Sequence, residues 1–510
     1  MNLAQRIQRS CQQYRDKRLS FDDQSFTYGE LWDKAAQAAA ILKSLGVRPG
    51  DRVALQLPKC LEFLYFHLGN IQLGGITVPL NPAYTREEIA YFLNDSGAVL
   101  YITDEEHADY ALPNTSDFPQ LREVMVLGKG KSGWEYGSKL QGEGARTGYE
   151  PNIDINEISP EDTVLLIYTS GTTGRSKGAM LSHANILATV DALHQIWGHS
   201  ERDVLLHVLP VFHVHGLIFA FYGGLCAGME IVMRSRFDAA DVLNCIERYR
   251  GTVFMGVPTM YYRLLRTARG KRFDLSSMRL WISGSAPLPA NIFEEFREVF
   301  GQAILERYGM SETGINTSNP LTGERKAGSV GIPLPGVGVK VVDAEGRELP
   351  RGEVGEVWVK GKNVFKGYWQ MPEKTAEAFA GEWFKTGDLG YFDADGYLFL
   401  VGRAKDLIIS GGMNVYPKEV EAVIENLPGV EEAAVVGLPD PDLGEKVTAF
   451  VMPRAGEAVE ADAVISACRQ KLAAYKCPRQ VYIVEQLPRN TMGKVLKSEL
   501  RKWNGASGRA

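Results

Sequence analysis

An α/β protein of at least two domains is what this sequence predicts: a large N-terminal domain of doubly wound sheets that also carries a small barrel-like sheet, followed by a smaller α+β C-terminal domain. Three observations carry that prediction. Helix and strand signals alternate from Thr27 to Thr103, a pattern that gives a largely parallel sheet with helices on both faces. Past Val337 the pattern changes to strand signals separated by turns. A chain of 510 residues is also too long for a single hydrophobic core.

The elements follow in order. Thr27-Tyr28-Gly29-Glu30 is a capping box that opens a helix through an alanine-rich stretch to Gly46, a residue type suited to the left-handed position after a helix. Residues 52–57 read as a strand, 61–73 as an apolar helix and 76–80 as another strand. Thr85 can cap a helix through Leu93, and 99–103 closes the unit as a strand. Residues 128–149, rich in Gly, Ser and charge, are expected to form a surface loop. The apolar stretch 216–228 is too short and glycine-rich to span a membrane and is expected in the core, so no transmembrane segment is predicted. Strand signals at 337–342, 355–360 and 397–401 form the barrel-like piece. A helix at 420–427 with strands at 430–436 and 447–451 makes the α+β end.

Composition excludes more than it assigns. The 45% hydrophobic and 23% charged content is that of an ordinary globular protein. A net charge of -6 without a dense basic block argues against nucleic acid as a main partner. Six scattered cysteines lack CxxC spacing, which fits reduced thiols in a cytoplasmic protein. The first residues lack the apolar core of a signal peptide, so secretion is not expected. Monomer and homodimer both stay open.

The run Tyr168-Thr169-Ser170-Gly171-Thr172-Thr173-Gly174-Arg175-Ser176-Lys177-Gly178 packs hydroxyls, glycines and cations together. Such a loop suits a polyphosphate, because glycines let backbone N–H groups approach phosphate oxygens and hydroxyls add donors. Residues 164–167 upstream read as a buried strand and Ser182-His183-Ala184-Asn185 downstream as a helix start, so the loop is expected at a strand end where α/β proteins bind ligands. It is not a Walker A loop, since Arg175 and Ser176 stand between the last glycine and Lys177. By composition alone it could be a solvated turn.

Further segments follow in order: Arg307-Tyr308-Gly309-Met310-Ser311-Glu312-Thr313, Lys385-Thr386-Gly387-Asp388, Gly402-Arg403-Ala404-Lys405-Asp406 and Pro488-Arg489-Asn490-Thr491-Met492-Gly493-Lys494. With the loop, they make the chain resemble, over nearly its whole length, the adenylate-forming family of acyl-CoA synthetases, aryl-CoA ligases, firefly luciferase and peptide-synthetase adenylation domains. The resemblance implies a ligase that joins a small-molecule carboxylic acid to CoA through an acyl-adenylate, using ATP and Mg²⁺. A luciferase-like oxygenase or a peptide-synthetase domain would share these motifs. A non-catalytic nucleotide-binding protein should have lost Lys494 or Glu312, and both are present.

The same resemblance implies the site. Lys494 would bridge carboxylate and α-phosphate, shielding charge during the attack. Glu312, with Thr173, would carry Mg²⁺. Thr169, Ser170, Gly171, Thr172, Gly174 and Lys177 would join Thr173 around the phosphates. Asp388 would accept hydrogen bonds from the ribose hydroxyls, with Arg403 beside it. Ser283, Gly284, Ser285 and Ala286 would line adenine, Tyr308 would stack on it, and Glu306, Arg307, Gly309, Met310 and Ser311 would complete the nucleotide site. Lys405 would be the hinge between residues 1–404 and a mobile domain, 405–510. Ser410, Gly411 and Gly412 would then lie near the pantetheine arm of CoA.

For the acid, the segments 207–217, 255–261, 279–286 and 316–320 resemble malonyl-CoA synthetases. That implies a distal carboxylate held by His207 and Arg279, with His215 and Ser285 alongside. Arginine suits this task because its planar fork grips a carboxylate bidentately. His207 could equally be a satisfied core residue. Gly314 stands where a larger side chain is expected in a malonate enzyme, which would deepen the pocket toward methylmalonate or a medium- to long-chain fatty acid. Fatty acyl-CoA ligase is therefore the alternative.

Overall fold

A computed structural model of the chain describes residues 1–110, 117–130, 133–138, 154–169, 176–490 and 493–503. Local sequence signals set its helix ends. The Thr27 hydroxyl accepts from the Glu30 amide while Glu30 returns a bond to the Thr27 amide, and the helix Tyr28–Ser44 runs from there to a Leu45 cap and a left-handed Gly46. Thr85 and Ser182 repeat the device for the helices Arg86–Ser96 and His183–Trp197. Arg86–Ser96 runs past the expected Leu93 and ends at Gly97, whose φ of 61° supplies the left-handed stop. The apolar helix Leu61–Gln72 packs on Tyr28–Ser44 so closely that a Cβ on Gly69 would lie 2.7 Å from the Ala39 amide nitrogen.

Among the described residues the N-terminal domain holds two large sheets, each parallel inside with antiparallel edges. One has seven strands in the order Gly133–Ser138, Glu123–Gly130, Leu100–Asp104, Arg52–Gln56, Ile76–Pro79, Thr163–Thr169, Lys177–Ser182. Two features differ from the sequence expectation. Part of the predicted surface loop is a hairpin, with Glu123–Gly130 pairing to Gly133–Ser138, while residues 139–149 lie outside the described residues. The phosphate-type loop does not lead straight to a helix. Lys177–Ser182 first pairs back on Thr163–Thr169, burying Ala179 and Leu181, so Thr169 faces Lys177 at the base of a hairpin.

The second sheet has nine strands in the order Ile332–Pro333, Gly314–Ser318, Leu305–Met310, Leu280–Ser283, Val253–Gly256, Val204–His207, Glu230–Met233, Arg18–Phe21, Gln24–Thr27. Leu305–Met310, Leu280–Ser283, Val253–Gly256 and Val204–His207 are mutually parallel, so their carboxyl ends share one edge, the usual ligand edge of such sheets. Behind that edge a fully buried π-helical segment, His215–Tyr222, continues into the helix Gly223–Ala227, placing the stretch 216–228 in the core as expected. The barrel-like sheet is five-stranded and antiparallel: Val337–Val342, Gly355–Gly361, Phe379–Ala380, Trp383–Phe392 and Leu398–Arg403. The C-terminal part is a mixed sheet of Ile408–Ser410, Met413–Val415, Val430–Asp440, Gly444–Pro453 and Gln480–Ile483, with the helices Pro417–Glu425 and Ala461–Lys471. All six cysteines are free and buried. No helix of the described residues is long and apolar enough to cross a membrane.

Candidate active site

The nucleotide-type residues gather beside the hairpin base. Ser170, Gly171, Thr172, Thr173 and Gly174 lie outside the described residues, but both flanks of their loop are fixed by the Thr169–Lys177 pairing. The Thr169 hydroxyl donates to Glu312 Oε1 at 3.2 Å, and the Tyr368 hydroxyl reaches the same oxygen at 3.3 Å. The Lys177 ammonium stands 4.8 Å over the Tyr368 ring. Burial raises the Glu312 pKa. Among the described residues no three metal-ligating side chains cluster. One carboxylate beside a phosphate-type loop suits a hard ion that takes its other ligands from phosphate oxygens and water.

A second cluster joins the barrel-like sheet to the C-terminal part. Asp388 takes a hydrogen bond from the Tyr308 hydroxyl at 2.5 Å and pairs with Arg403 Nε at 3.0 Å. It sits there because Trp383–Phe392 and Leu398–Arg403 are paired with Asp388 opposite Arg403. Lys494 belongs to the same neighbourhood. Desolvation, then the Arg403 charge, pull its pKa down to about 8, with Asp388 acting in the other direction. A turn presents it: the Gly493 amide donates to the Asn490 carbonyl, and Gly493, at φ 76°, packs toward Thr259 of the N-terminal domain. Lys494 itself stays accessible in the cleft. Lys405 lies in a 3₁₀ turn, Ala404–Asp406, between Arg403 and Asp406, which pairs with Arg501 at 2.8 Å. Ser410, Gly411 and Gly412 form the tip of the hairpin Ile408–Ser410 with Met413–Val415, where Gly411 and Gly412 take φ of 56° and 78°. Ile409 and Met413 beside them are 53% and 48% exposed.

At the acid side one expectation is corrected. Arg279 stands just before the strand Leu280–Ser283, at the end of the sheet opposite the ligand edge. Its fork is engaged with Asp203 at 2.6 and 2.7 Å, and it donates to the Trp197 and Gly198 carbonyls. Four of its five N–H donors are thereby engaged within the fold, away from the ligand edge. His207 does end its strand at the ligand edge, but its Nδ1 lies 2.9 Å from the Lys59 ammonium and its Nε2 2.9 Å from the Gly216 carbonyl. Gly314 does not open a tunnel either: its φ is 60°, and a Cβ there would lie 2.3 Å from the Thr189 hydroxyl.

Arg307, expected with the nucleotide, packs against Gly284 and Phe219. Arg307, buried within the strand Leu305–Met310, has Nε and Nη2 without a hydrogen-bond partner and stands 4.9 Å over the Phe219 ring. A Cβ on Gly284 would lie 2.5 Å from its guanidinium carbon, so that glycine is required for the side chain to fit. Burial draws the Arg307 pKa down to about 9. Burial and then the Arg307 charge lower His213 to about 4 and hold His215 well below its ordinary value, leaving both neutral. His215 Nδ1 lies 3.0 Å from the Ser285 hydroxyl while its Nε2 is buried without a partner. Ser285 has φ 71°, a left-handed conformation uncommon outside functional turns. Neighbouring Glu306 is buried, accepts from the Leu288 amide and is pushed up to about 7 by burial. The one signal for Arg307 was an arginine beside Leu305 in a strand that must be buried on both faces.

Comparison with known proteins places this geometry. Residues 7–369 match the AMP-binding enzyme family, and residues 419–494 match the AMP-binding enzyme C-terminal domain. A long-chain-fatty-acid–CoA ligase of Bacillus subtilis (strain 168) is 34% identical, covering 94% of this chain and 90% of its own. A feruloyl-CoA synthase of Amycolatopsis sp is 37% identical over 94% of each. The crystal structure of ATP-bound MatB from Rhodopseudomonas palustris superposes with a TM-score of 0.90 at 42% identity, covering 98% of this chain and 99% of its own. The anthranilate CoA ligase AuaEII in complex with anthranoyl-AMP superposes at 0.87 with 30% identity, over 98% and 97% of the two chains. Matched in both regions and surrounded by relatives that couple acids to CoA, the chain belongs to the AMP-binding enzymes of the adenylate-forming superfamily and is an ATP-dependent, AMP-forming acyl-CoA ligase.

Proposed function

We propose that the acid is a short dicarboxylate such as malonate, and that Arg307 receives its distal carboxylate. The supporting observation is a buried guanidinium with two free nitrogens and, among the described residues, no ion-pair partner. A desolvated cation is costly unless an anion meets it. The reacting carboxylate must face the α-phosphate, so a second one on the same small molecule can answer Arg307. His215 Nε2, another buried polar atom without a partner, then donates to the same group. His207 contributes no direct contact, and Arg279 none.

In the first half-reaction Lys494 shields the attacking carboxylate and the α-phosphate, while Asp388 and Arg403 hold the ribose and Thr169 and Lys177 flank the phosphate loop. Mg²⁺, held by Glu312 and Thr173, would neutralise phosphate charge. Lys405 is the hinge on which residues 405–510 then turn, removing Lys494 and bringing Ser410, Gly411 and Gly412 to the pantetheine arm. The exposed Ile409 and Met413 support this, because a hairpin that is buried in a second arrangement keeps apolar side chains that are open in the first.

ATP- and CoA-dependent AMP release with malonate, methylmalonate, butyrate and dodecanoate tests the acid. Malonate should exceed butyrate by a factor on the order of 10⁴, the scale on which a polar site rejects an analogue that leaves it unpaired. Activity climbing from butyrate to dodecanoate, with malonate below both, would overturn the dicarboxylate reading and favour a fatty acid.

A further inference from the structure

Lys59 follows the strand Arg52–Gln56 of the seven-stranded sheet and reaches across to the nine-stranded one. Its ammonium donates to His207 Nδ1 at 2.9 Å and to the His207 carbonyl at 2.8 Å. No carboxylate lies within ion-pair distance of it among the described residues; Asp22 acts on it only at longer range. These contacts fix a protonation state. The Gly216 carbonyl can only accept, so Nε2 of His207 carries the proton, and Nδ1 must then be the acceptor for Lys59.

What that imidazole holds is the entry to the π-helical segment. Gly216 is the second residue of His215–Tyr222, and its own close approach to the Pro210 carbonyl leaves no room for adjustment, since a Cβ there would lie 2.0 Å from that oxygen. The segment carries His215, which contacts Ser285, and Phe219, whose face lies under Arg307. A lysine from one sheet thereby fixes, through a histidine of the other, the wall against which the acid is recognised.

We propose that Lys59 is a positioning residue for acid recognition, acting through the His207 ring, which it holds at Nδ1, on the segment that bears His215 and Phe219. The choice of malonate as probe rests on the dicarboxylate reading above; the contact chain itself does not.

The test uses the full chain. In the wild type, ¹⁵N–¹H correlation of the His207 ring, assigned by difference against His207→Ala, should show the Nε2–H tautomer at neutral pH. Lys59→Met leaves Nδ1 without its donor while the Gly216 carbonyl still holds the Nε2 proton, and should raise the malonate KM by about tenfold, the scale of one buried group left unpaired, with kcat and the ATP KM near wild type. The butyrate KM should not move. His207→Ala should raise the malonate KM alike, and Lys59→Met should add nothing in that background. An Nδ1–H tautomer in the wild type overturns the proposal even if Lys59→Met does not fold. So does an unchanged malonate KM in folded Lys59→Met, an equal rise for every acid, or additive effects in the double variant. A wild type that prefers butyrate is a different failure: it rejects the dicarboxylate reading while the tautomer and the double-variant cycle still judge Lys59 with the better acid.

Discussion

Arg279, just before one strand, and Arg307, on the next, are engaged differently, and single substitutions should separate them. Arg279→Met leaves Asp203, whose side chain is 4% exposed, without its bidentate partner. The cost should be about 3 kcal/mol in urea unfolding, as for breaking a buried pair, with the preference between acids intact. Arg307→Met should leave stability near wild type or higher and abolish the preference for malonate over butyrate in AMP release. The sequence displayed both residues with equal clarity and did not show how Arg279 is engaged, because its partner Asp203 lies 76 residues away and nothing local betrays it. Lys494 supports a pH prediction. A lysine drawn from its ordinary 10.5 to about 8 keeps its charge below that pH and loses it above. The kcat/KM for ATP in adenylate formation should therefore be flat up to roughly pH 8 and then fall about tenfold per unit, and Lys494→Arg should lose this alkaline limb whatever its absolute rate.

Among elements, the legible ones were those whose ends are written locally. Thr27 with Glu30, and Thr85 with Glu88, close capping boxes over three residues, and both helices start where the sequence predicts. The strand Lys177–Ser182 was not legible, since its alternation is short and its partner is only the strand before it. Nor was the π-helical character of His215–Tyr222, in which every residue is buried and no periodic polar face exists to read. That segment is rigidly placed, so Gly216→Ala should displace it: the malonate KM should rise while the ATP KM holds, and thermal melting should shift down. Equal loss of both substrates would mean that the segment supports the fold alone.

At the scale of the whole molecule, the parallel ligand edge and the antiparallel barrel-like sheet followed from strand order, whereas the placement of Lys494 against the N-terminal domain did not. It depends on a turn, Asn490 to Lys494, meeting Thr259 across the chain. If Lys405 is the hinge, Lys405→Pro, which fixes φ near about −65°, should leave pyrophosphate exchange running while CoA thioester formation from synthetic acyl-AMP collapses. Unchanged thioester output would remove the hinge from Lys405. The six cysteines carry a different consequence. An enzyme whose substrate is a thiol works amid CoA and its disulfides, and exchange with them needs a protein thiolate within reach. Here every sulfur is buried, and burial pushes Cys11 and Cys226 up to about 12 and Cys468 to about 11, so none offers a thiolate at neutral pH. The native protein should resist mixed-disulfide formation with oxidised CoA and titrate with no thiol reagent until unfolded, when all six should react.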